Sequence, residues 1–300
     1  MNVVIAHWDA DGVASTSLYF KKFSLENTYN FFSSATKLKT TLCKVIAKLN
    51  EFDKLFIFDI APNDVTIRLA SIFNEVVWID HHQKNIKVEI PKNVTLFINE
   101  NYKSSARAVC EYFNVNSRIL DFIDEIDCNN VVSEEAKFFR DLVSAIKIKY
   151  HSRSSKKLLF LSKFLAFYEI QDLIKREEEM LLVENYRKFI ENNIEKILSS
   201  KKVFEINNKK VLFVETNLQI PVYEIYNKVK EEADLFIAIF RRINIIRGTV
   251  STKIELRSEN INVFPIAEYF GGGGHKKAAG ASINKFLTIE TLINELKKIL

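Results

Sequence analysis

Val3-Val4-Ile5-Ala6-His7-Trp8-Asp9-Ala10-Asp11-Gly12, near the start of the chain, decides how the first hundred residues are read. Four uninterrupted apolar residues fit a strand buried on both faces, the kind found in parallel sheets. The run stops at an imidazole followed by two carboxylates at alternate positions. In an extended segment, side chains at i, i+2 and i+4 point the same way, so the spacing predicts that His7, Asp9 and Asp11 share one site. Gly12 then permits a tight turn into the next helix, expected over Val13–Phe23.

The same arrangement recurs downstream. Leu55-Phe56-Ile57-Phe58 ends at Asp59, and Val76-Val77-Trp78-Ile79 ends at Asp80-His81-His82. Four of the five histidines fall at His7, His81, His82 and His275, the last directly after Gly271–Gly274. Imidazole and carboxylate together bind divalent transition metals at neutral pH. Carboxyl ends of parallel strands are where α/β proteins keep their sites. The pattern points to a metal-dependent hydrolase.

Composition narrows the class. With 47% apolar and 27% charged residues, the chain is a soluble globular protein, large enough for two domains. No segment approaches the ~20 apolar residues that cross a bilayer, and the N-terminus lacks the pattern of a secretory leader. Cys43, Cys110 and Cys128 are widely spaced and fit no zinc pattern. They are expected to be reduced thiols in a cytoplasmic protein without membrane attachment. The net charge of +5 lies wholly in residues 201–300, which carry 16 Lys+Arg against 11 Asp+Glu. A basic C-terminal third suits a phosphate-rich ligand, or simply a solvated basic face.

The order of patterns predicts an α/β fold in three parts. Residues 1–150 read as a parallel-sheet domain, 151–200 as a linker of long helices, and 201–300 as a smaller α+β domain, with the active-site cleft between the two domains. In the first part, Tyr29–Ser33 reads as a strand and Leu38–Leu49 as a helix. Pro62-Asn63-Asp64 starts a helix over Val65–Phe73. Ser104 or Ser105 caps a helix at Ala106–Phe113. Lys157–Leu198 contains no Gly or Pro, and Val183, Tyr186, Ile190, Ile194 and Ile197 recur at helical spacing. Asn207-Asn208 separates two strand patterns as a hairpin turn. Strands follow at Leu235–Phe240 and Gly248–Leu256, and helices at Val222–Lys230, Ile261–Phe270 and Thr288–Ile299.

Taken together, His7-x-Asp9-x-Asp11, the strand-end Asp59, Asp80-His81-His82 and Gly272-Gly273-Gly274-His275 resemble the DHH phosphoesterase superfamily. Glu255-Leu256-Arg257-Ser258 and Phe270–Gly280 resemble its DHH-associated C-terminal domain. The spelling His-Trp-Asp-Ala-Asp-Gly is nearer the RecJ-like and NrnA-like nuclease branch than the soluble pyrophosphatases, whose second domain differs.

The resemblance implies two Mn²⁺ ions, with Mg²⁺ or Co²⁺ as alternatives. One would be held by His7, Asp9 and Asp59. The other would be held by Asp11, Asp59, His81 and a later aspartate from Asp121, Asp124 or Asp127, with Asp127 favoured and Asp124 next. Asp80 would orient a neighbouring imidazole, and His82 would hydrogen-bond the scissile phosphate. In the second domain, Gly272, Gly273 and Gly274 would present backbone N–H groups to an anion, with His275, Arg257 and, more weakly, Lys277 contacting a nucleotide phosphate. Arg241 and Arg242 are helpers or solvated edge-strand residues. The implied activity is hydrolysis of short single-stranded RNA or DNA, and of 3′-phosphoadenosine phosphate, by a monomer or homodimer. Two alternatives remain: a polyphosphate or pyrophosphate hydrolase, and a non-catalytic, replication-associated binding protein. The intact ligand set argues against the second.

Overall fold

The computed structural model describes residues 1–23, 25–48, 54–82, 86–218, 220–244 and 248–300. It divides into two compact units, Met1–Tyr186 and Arg187–Leu300. Among the described residues no helix is long and apolar enough to cross a membrane.

The first unit begins β1 (Asn2–His7), α1 (Ala10–Lys22), β2 (Thr28–Ser33), α2 (Leu38–Lys48), β3 (Lys54–Phe58), α3 (Asp64–Ala70), β4 (Glu75–Asp80) and β5 (Val94–Ile98). Leu49, the expected end of the second helix, lies outside the described residues. The five strands form one parallel sheet in the order β2-β1-β3-β4-β5. Such a doubly wound order places its switch point between β1 and β3, where a ligand finds the crevice at the carboxyl edge.

Burial on both faces explains the unbroken apolar runs. Val3, Ile5, Leu55, Ile57, Val76 and Trp78 pack against Leu38, Leu42 and Val45 of α2 and Ile67 of α3. On the opposite face, Phe56 meets Tyr19 of α1 at 4.9 Å between ring centroids. Each such side chain contributes roughly 1.5–3 kcal/mol by leaving water. The buried Trp78 indole N–H donates to the Ile60 carbonyl at 2.7 Å. Strand β5 has no counterpart in the sequence reading, because Val94-Thr95-Leu96-Phe97-Ile98 is short and ends in no acid.

α1 starts three residues earlier than expected. Asp9 is its N-cap and accepts the Gly12 N–H at 3.1 Å, a role for which aspartate is among the best residues. Asp11 therefore sits in the first helical turn, and extended-strand alternation does not align His7, Asp9 and Asp11. Nor does Gly12 form a turn. It lies inside the helix, where a Cβ would stand 2.1 Å from the His7 carbonyl oxygen, so close backbone approach is what requires glycine.

The unit continues with α4 (Ser105–Phe113), α5 (Ile119–Asp127), α6 (Glu134–Tyr150), α7 (Ser154–Phe167) and α8 (Ile170–Ile174), and α9 (Glu177–Leu198) runs across the division. α7 is no spacer. Leu158, Leu161 and Leu165 are buried, and Ser162 Oγ donates to the Val13 carbonyl of α1 at 3.0 Å.

The second unit holds β6 (Lys202–Ile206), β7 (Lys209–Glu215), α10 (Val222–Val229), β8 (Leu235–Asn244), β9 (Thr249–Arg257), α11 (Phe264–Tyr269), β10 (Gly273–Gly274), β11 (Ala278–Ile283) and α12 (Ile289–Ile299). Its mixed sheet runs β10-β11-β9-β8-β7-β6. Asn207 and Asn208 both take positive φ, 49° and 60°, as a hairpin turn twisted to match its strands requires. Ile206, Val211, Phe213, Ile237, Leu256, Ile266, Leu292 and Leu296 form the core. One expectation changes here. The helix expected over Ile261–Phe270 is confined to Phe264–Tyr269, with Pro265 at its start. Arg241 and Arg242 lie on β8 beyond the β7 ladder, which ends at Ile239, and among the described residues they pair only with Thr252 and Ser251 of β9.

Candidate metal centre

Strand ends bring the chemistry together. β1 delivers His7, and the loop after it delivers Asp9. Asp59 follows β3 directly, and its φ of 59° lies in the left-handed region, which aspartate tolerates better than most residues. The Asp59 amide donates to the Ile79 carbonyl at 3.1 Å, fixing that bend. β4 supplies Asp80 and then His81 and His82.

Two groups of ligand atoms result. His7 Nδ1 stands 2.5 Å from Asp9 Oδ2 and 3.5 Å from Asp59 Oδ2. His81 Nε2 stands 3.1 Å from Asp127 Oδ2 and 3.9 Å from both Asp11 Oδ2 and Asp59 Oδ1. Asp59 thus turns one oxygen toward each group. Each of the sets His7–Asp9–Asp59 and Asp11–His81–Asp127 has its ligand atoms within 4.8 Å of one another.

Surrounding groups fix these side chains. The Tyr102 carbonyl lies 3.1 Å from His81 Nδ1. A carbonyl only accepts, so Nδ1 carries the proton there and Nε2 faces the carboxylates. His82 Nδ1 pairs with Asp80 Oδ1 at 2.7 Å. The start of α4 holds Asp11, whose two oxygens accept the Ser105 and Ala106 N–H groups at 2.6 and 2.8 Å. Ser105 Oγ reaches Asp59 Oδ1 at 3.0 Å and Asp80 Oδ1 at 3.3 Å. Only Ser104 is the cap, accepting from Arg107 N at 3.3 Å. Sequence reasoning treated the serine pair as interchangeable and missed Ser105, because nothing in the spelling Ser-Ser shows which hydroxyl turns inward.

Packing this many carboxylates together has an electrostatic consequence. Burial, reinforced by the neighbouring Asp127 carboxylate, pushes Asp11 up to about 7. Burial and the charges of Asp11 and Asp9 push Asp59 well above the usual carboxylate range. Burial opposes charge on His81 too, but Asp127 outweighs it and raises the imidazole to about 10. His82 is raised in the same way by Asp80, against burial. Asp9 moves the other way: burial would raise it, and His7 overcomes that and holds it low. Asp59 Oδ2 and Asp80 Oδ2 are buried and accept no hydrogen bond from the described residues. A buried carboxylate oxygen without a donor is costly unless a cation meets it. The donor set of carboxylate oxygens with imidazole nitrogens is one that Mn²⁺ and similar ions accept, so the residues fit such a group.

Among the later aspartates, Asp127 faces His81, whereas Asp124 accepts the Ser104 hydroxyl at 2.7 Å and pairs with Arg107 Nε. Asp121 enters neither group of ligand atoms.

In the second unit, the glycines serve the backbone. A Cβ on Gly272 would lie 2.1 Å from the Gly280 carbonyl oxygen, and Gly274 has φ 139°. The Gly272 N–H donates to the Ala267 carbonyl at 2.8 Å, so that amide is engaged within the protein. Gly273 and Gly274 pair with Gly280 and Ala279, and the His275 N–H donates to the Ala278 carbonyl at 2.8 Å. Arg257 Nη1 donates to the Leu256 carbonyl at 2.9 Å, and Lys277 pairs with Glu259 at 2.7 Å. Arg241 forms an ion pair with Glu215 and lies over the Phe286 ring.

The family model of the DHHA1 domain matches residues 208–300, the bulk of this second unit. Residues 208–300 are thus a DHHA1 domain. Solved structures share its fold over nearly the whole chain. The pGpG-specific phosphodiesterase PggH from Vibrio cholerae is 17% identical, with 99% of this chain and 97% of that one covered and a TM-score of 0.58. The DHH domain of a member of the S1p family of ribosomal proteins is 12% identical, with coverages of 99% and 86% and a TM-score of 0.66. RecJ from Thermus thermophilus, solved in complex with Mn²⁺, is 17% identical, with coverages of 99% and 51% and a TM-score of 0.60. A search of curated protein sequences returned no match. Asp80-His81-His82 stands at the end of β4, and the DHHA1 match includes the glycine loop ahead of His275.

Proposed function

We propose that this protein is a member of the DHH phosphoesterase superfamily and a Mn²⁺-dependent phosphodiesterase that hydrolyses short single-stranded oligonucleotides. The observation that carries the reading is Asp59, which faces His7–Asp9 with one oxygen and Asp11–His81–Asp127 with the other. His7, Asp9 and Asp59 would hold one cation, and Asp11, Asp59, His81 and Asp127 a second. When bound, two divalent ions supply Lewis acidity, neutralising the phosphate and lowering the pKa of water beside it.

The chain's own residues do the rest. Ser105 and the α4 N-terminus hold Asp59 and Asp11 in place. Asp80 fixes the His82 ring through Nδ1 and favours its protonated form. His82 can then donate from Nε2 to a non-bridging phosphate oxygen, offsetting charge that grows as water attacks. The new P–O bond forms from water as the ester P–O bond breaks, and the departing alkoxide takes a proton. In the DHHA1 domain, the side chains of Arg257, Lys277 and His275, the last set in place by the Gly272–Gly274 loop, are proposed to contact substrate phosphate. The fold likeness to PggH, which acts on pGpG, is in keeping with a two-nucleotide substrate.

The test is hydrolysis of 5′-labelled dinucleotides through 24-mers under Mn²⁺, with 3′-phosphoadenosine phosphate, pyrophosphate and polyphosphate alongside. Rates that fall with length support the reading. Equal rates at every length, or phosphate release from pyrophosphate alone, overturn it.

A further inference from the structure

Three charged side chains stand in a row on one strand of the second unit. Lys253, Glu255 and Arg257 take alternate positions of β9, so they share one face of the sheet, while Ile254 and Leu256 between them enter the core. Glu255 is flanked by two small residues, Ala238 of β8 and Gly280 of β11. A Cβ on Gly280 would stand 3.4 Å from Glu255 Cγ and 2.8 Å from the Ile254 carbonyl oxygen. Small neighbours on both sides leave the Glu255 side chain space to reach along the strand in both directions.

Its carboxylate serves two cations at once. Oε1 meets Lys253 Nζ at 2.5 Å, and Oε2 accepts from Arg257 Nη2 at 3.4 Å. Arg257 Nη1 donates to the Leu256 carbonyl at 2.9 Å, so the guanidinium is fastened at both terminal nitrogens with two of its five N–H donors. Lys253 Nζ lies 5.9 Å from the ring centroid of Phe240, its neighbour across the β8–β9 ladder.

Arg257 is one of the proposed contacts to substrate phosphate, and a carboxylate beside such an arginine has two opposed effects. It fixes a side chain that otherwise gives up much rotamer freedom on binding. It also places negative charge where an anion docks, which weakens binding. Lys253 removes the second effect and keeps the first. Its ammonium offsets the Glu255 charge, and the guanidinium retains its own for the phosphate. Neither Lys253 nor Glu255 has to touch the ligand.

We propose that Glu255 and Lys253 are positioning residues for the Arg257 phosphate contact, Glu255 orienting the guanidinium and Lys253 offsetting the carboxylate that does so. The inference rests on the reading of Arg257 as a contact to nucleotide phosphate, and it is open to test without turnover.

The full chain in EDTA would be titrated by calorimetry with a 5′-phosphorylated dinucleotide, and KM and kcat for the same dinucleotide would be measured under Mn²⁺. Lys253→Met leaves the Glu255 charge uncompensated and is expected to weaken binding about fivefold. Adding Glu255→Gln to that variant removes the charge and keeps an acceptor for Arg257, so affinity should return to within about twofold of wild type. Glu255→Ala matches Glu255→Gln in charge but lacks the acceptor, and it should bind roughly threefold more weakly than Glu255→Gln. Under Mn²⁺ these losses should fall on KM more than on kcat. A Lys253→Met deficit that survives in the double variant means that Lys253 itself contacts substrate, and it overturns the inference. Equal binding by Glu255→Gln and Glu255→Ala overturns it too. Arg257→Ala is the control, and unaltered dinucleotide binding there overturns the phosphate contact and the inference with it. The expected pattern in a chain that hydrolyses nothing overturns the catalytic reading alone.

Discussion

The Ser105 hydroxyl donates to Asp59 at 3.0 Å and stands 3.3 Å from Asp80, so one side chain at the start of α4 joins the ends of β3 and β4. Its single hydrogen serves one carboxylate at a time, and its loss leaves a buried acceptor short of a donor. Ser105→Ala is therefore expected to destabilise the fold by about 1–3 kcal/mol. Because the freed Asp59 would lie less well aimed at both groups, Mn²⁺ affinity should fall by about 10–100-fold. Thermal melts with and without Mn²⁺ check both effects, and a variant that binds Mn²⁺ like the wild type shows that Ser105 is only structural.

Stability of the chain in chelator should fall as pH rises. An unfolded aspartate ionises near 4 and an unfolded histidine near 6.5, whereas Asp11 titrates at about 7 and His81 at about 10 in the fold. Between each pair of values the folded chain binds more protons, so stability declines with pH, from about 4 to 7 for Asp11 and from about 6.5 to 10 for His81. A divalent cation needs both groups deprotonated, so its affinity should climb over the same range with release of protons. Melting temperature against pH in EDTA and in Mn²⁺ measures this. Parallel curves, or Mn²⁺ heats that do not change with buffer ionisation enthalpy, count against it.

The parallel sheet was legible because burial on both faces writes itself into the sequence as unbroken apolar runs, as in Val3–Ala6 and Leu55–Phe58. Where a strand is made of small residues, as in Ala278-Ala279-Gly280-Ala281, that signal is absent, and β11 was missed. The residue types of the centre were legible too, but not the reason they meet. Alternation along an extended segment suggested one shared face, whereas Asp9 caps α1 and Asp11 rides in its first turn. Ser105 reaches the centre through contacts distant in sequence, 46 residues from Asp59 and 94 from Asp11, and no local pattern encodes them.

Gly12 offers a sharper test of that local geometry. A methyl group there would stand 2.1 Å from the His7 carbonyl oxygen and 2.8 Å from the His7 nitrogen. Both are backbone atoms, so relief requires moving α1 away from the end of β1. Gly12→Ala should lower stability by at least ~1–3 kcal/mol despite the higher helix propensity of alanine. It should also separate Asp9 and Asp11 from His7 and weaken Mn²⁺ binding, read by calorimetry on the folded fraction. A rise in melting temperature would mean that propensity outweighs contact at this position.

Asp124 and Asp127 differ by three positions on α5, and their surroundings divide their roles. Asp124 accepts from Ser104 and pairs with Arg107, linking α4 to α5 through a nearly buried carboxylate. Asp127 lies 3.1 Å from His81 Nε2, and its side chain is 20% exposed. Replacing the buried, paired acid should cost about 3 kcal/mol, so Asp124→Asn is expected to lower the melting temperature while the folded protein still binds Mn²⁺. Asp127→Asn removes a negative charge from a crowded cluster, which relieves repulsion on Asp11 and Asp59. Its melting temperature in chelator should hold or rise, while Mn²⁺ affinity falls at least about tenfold. Paired melts and Mn²⁺ titrations of the two variants separate these outcomes, and the reverse assignment of effects would make Asp124 the ligand.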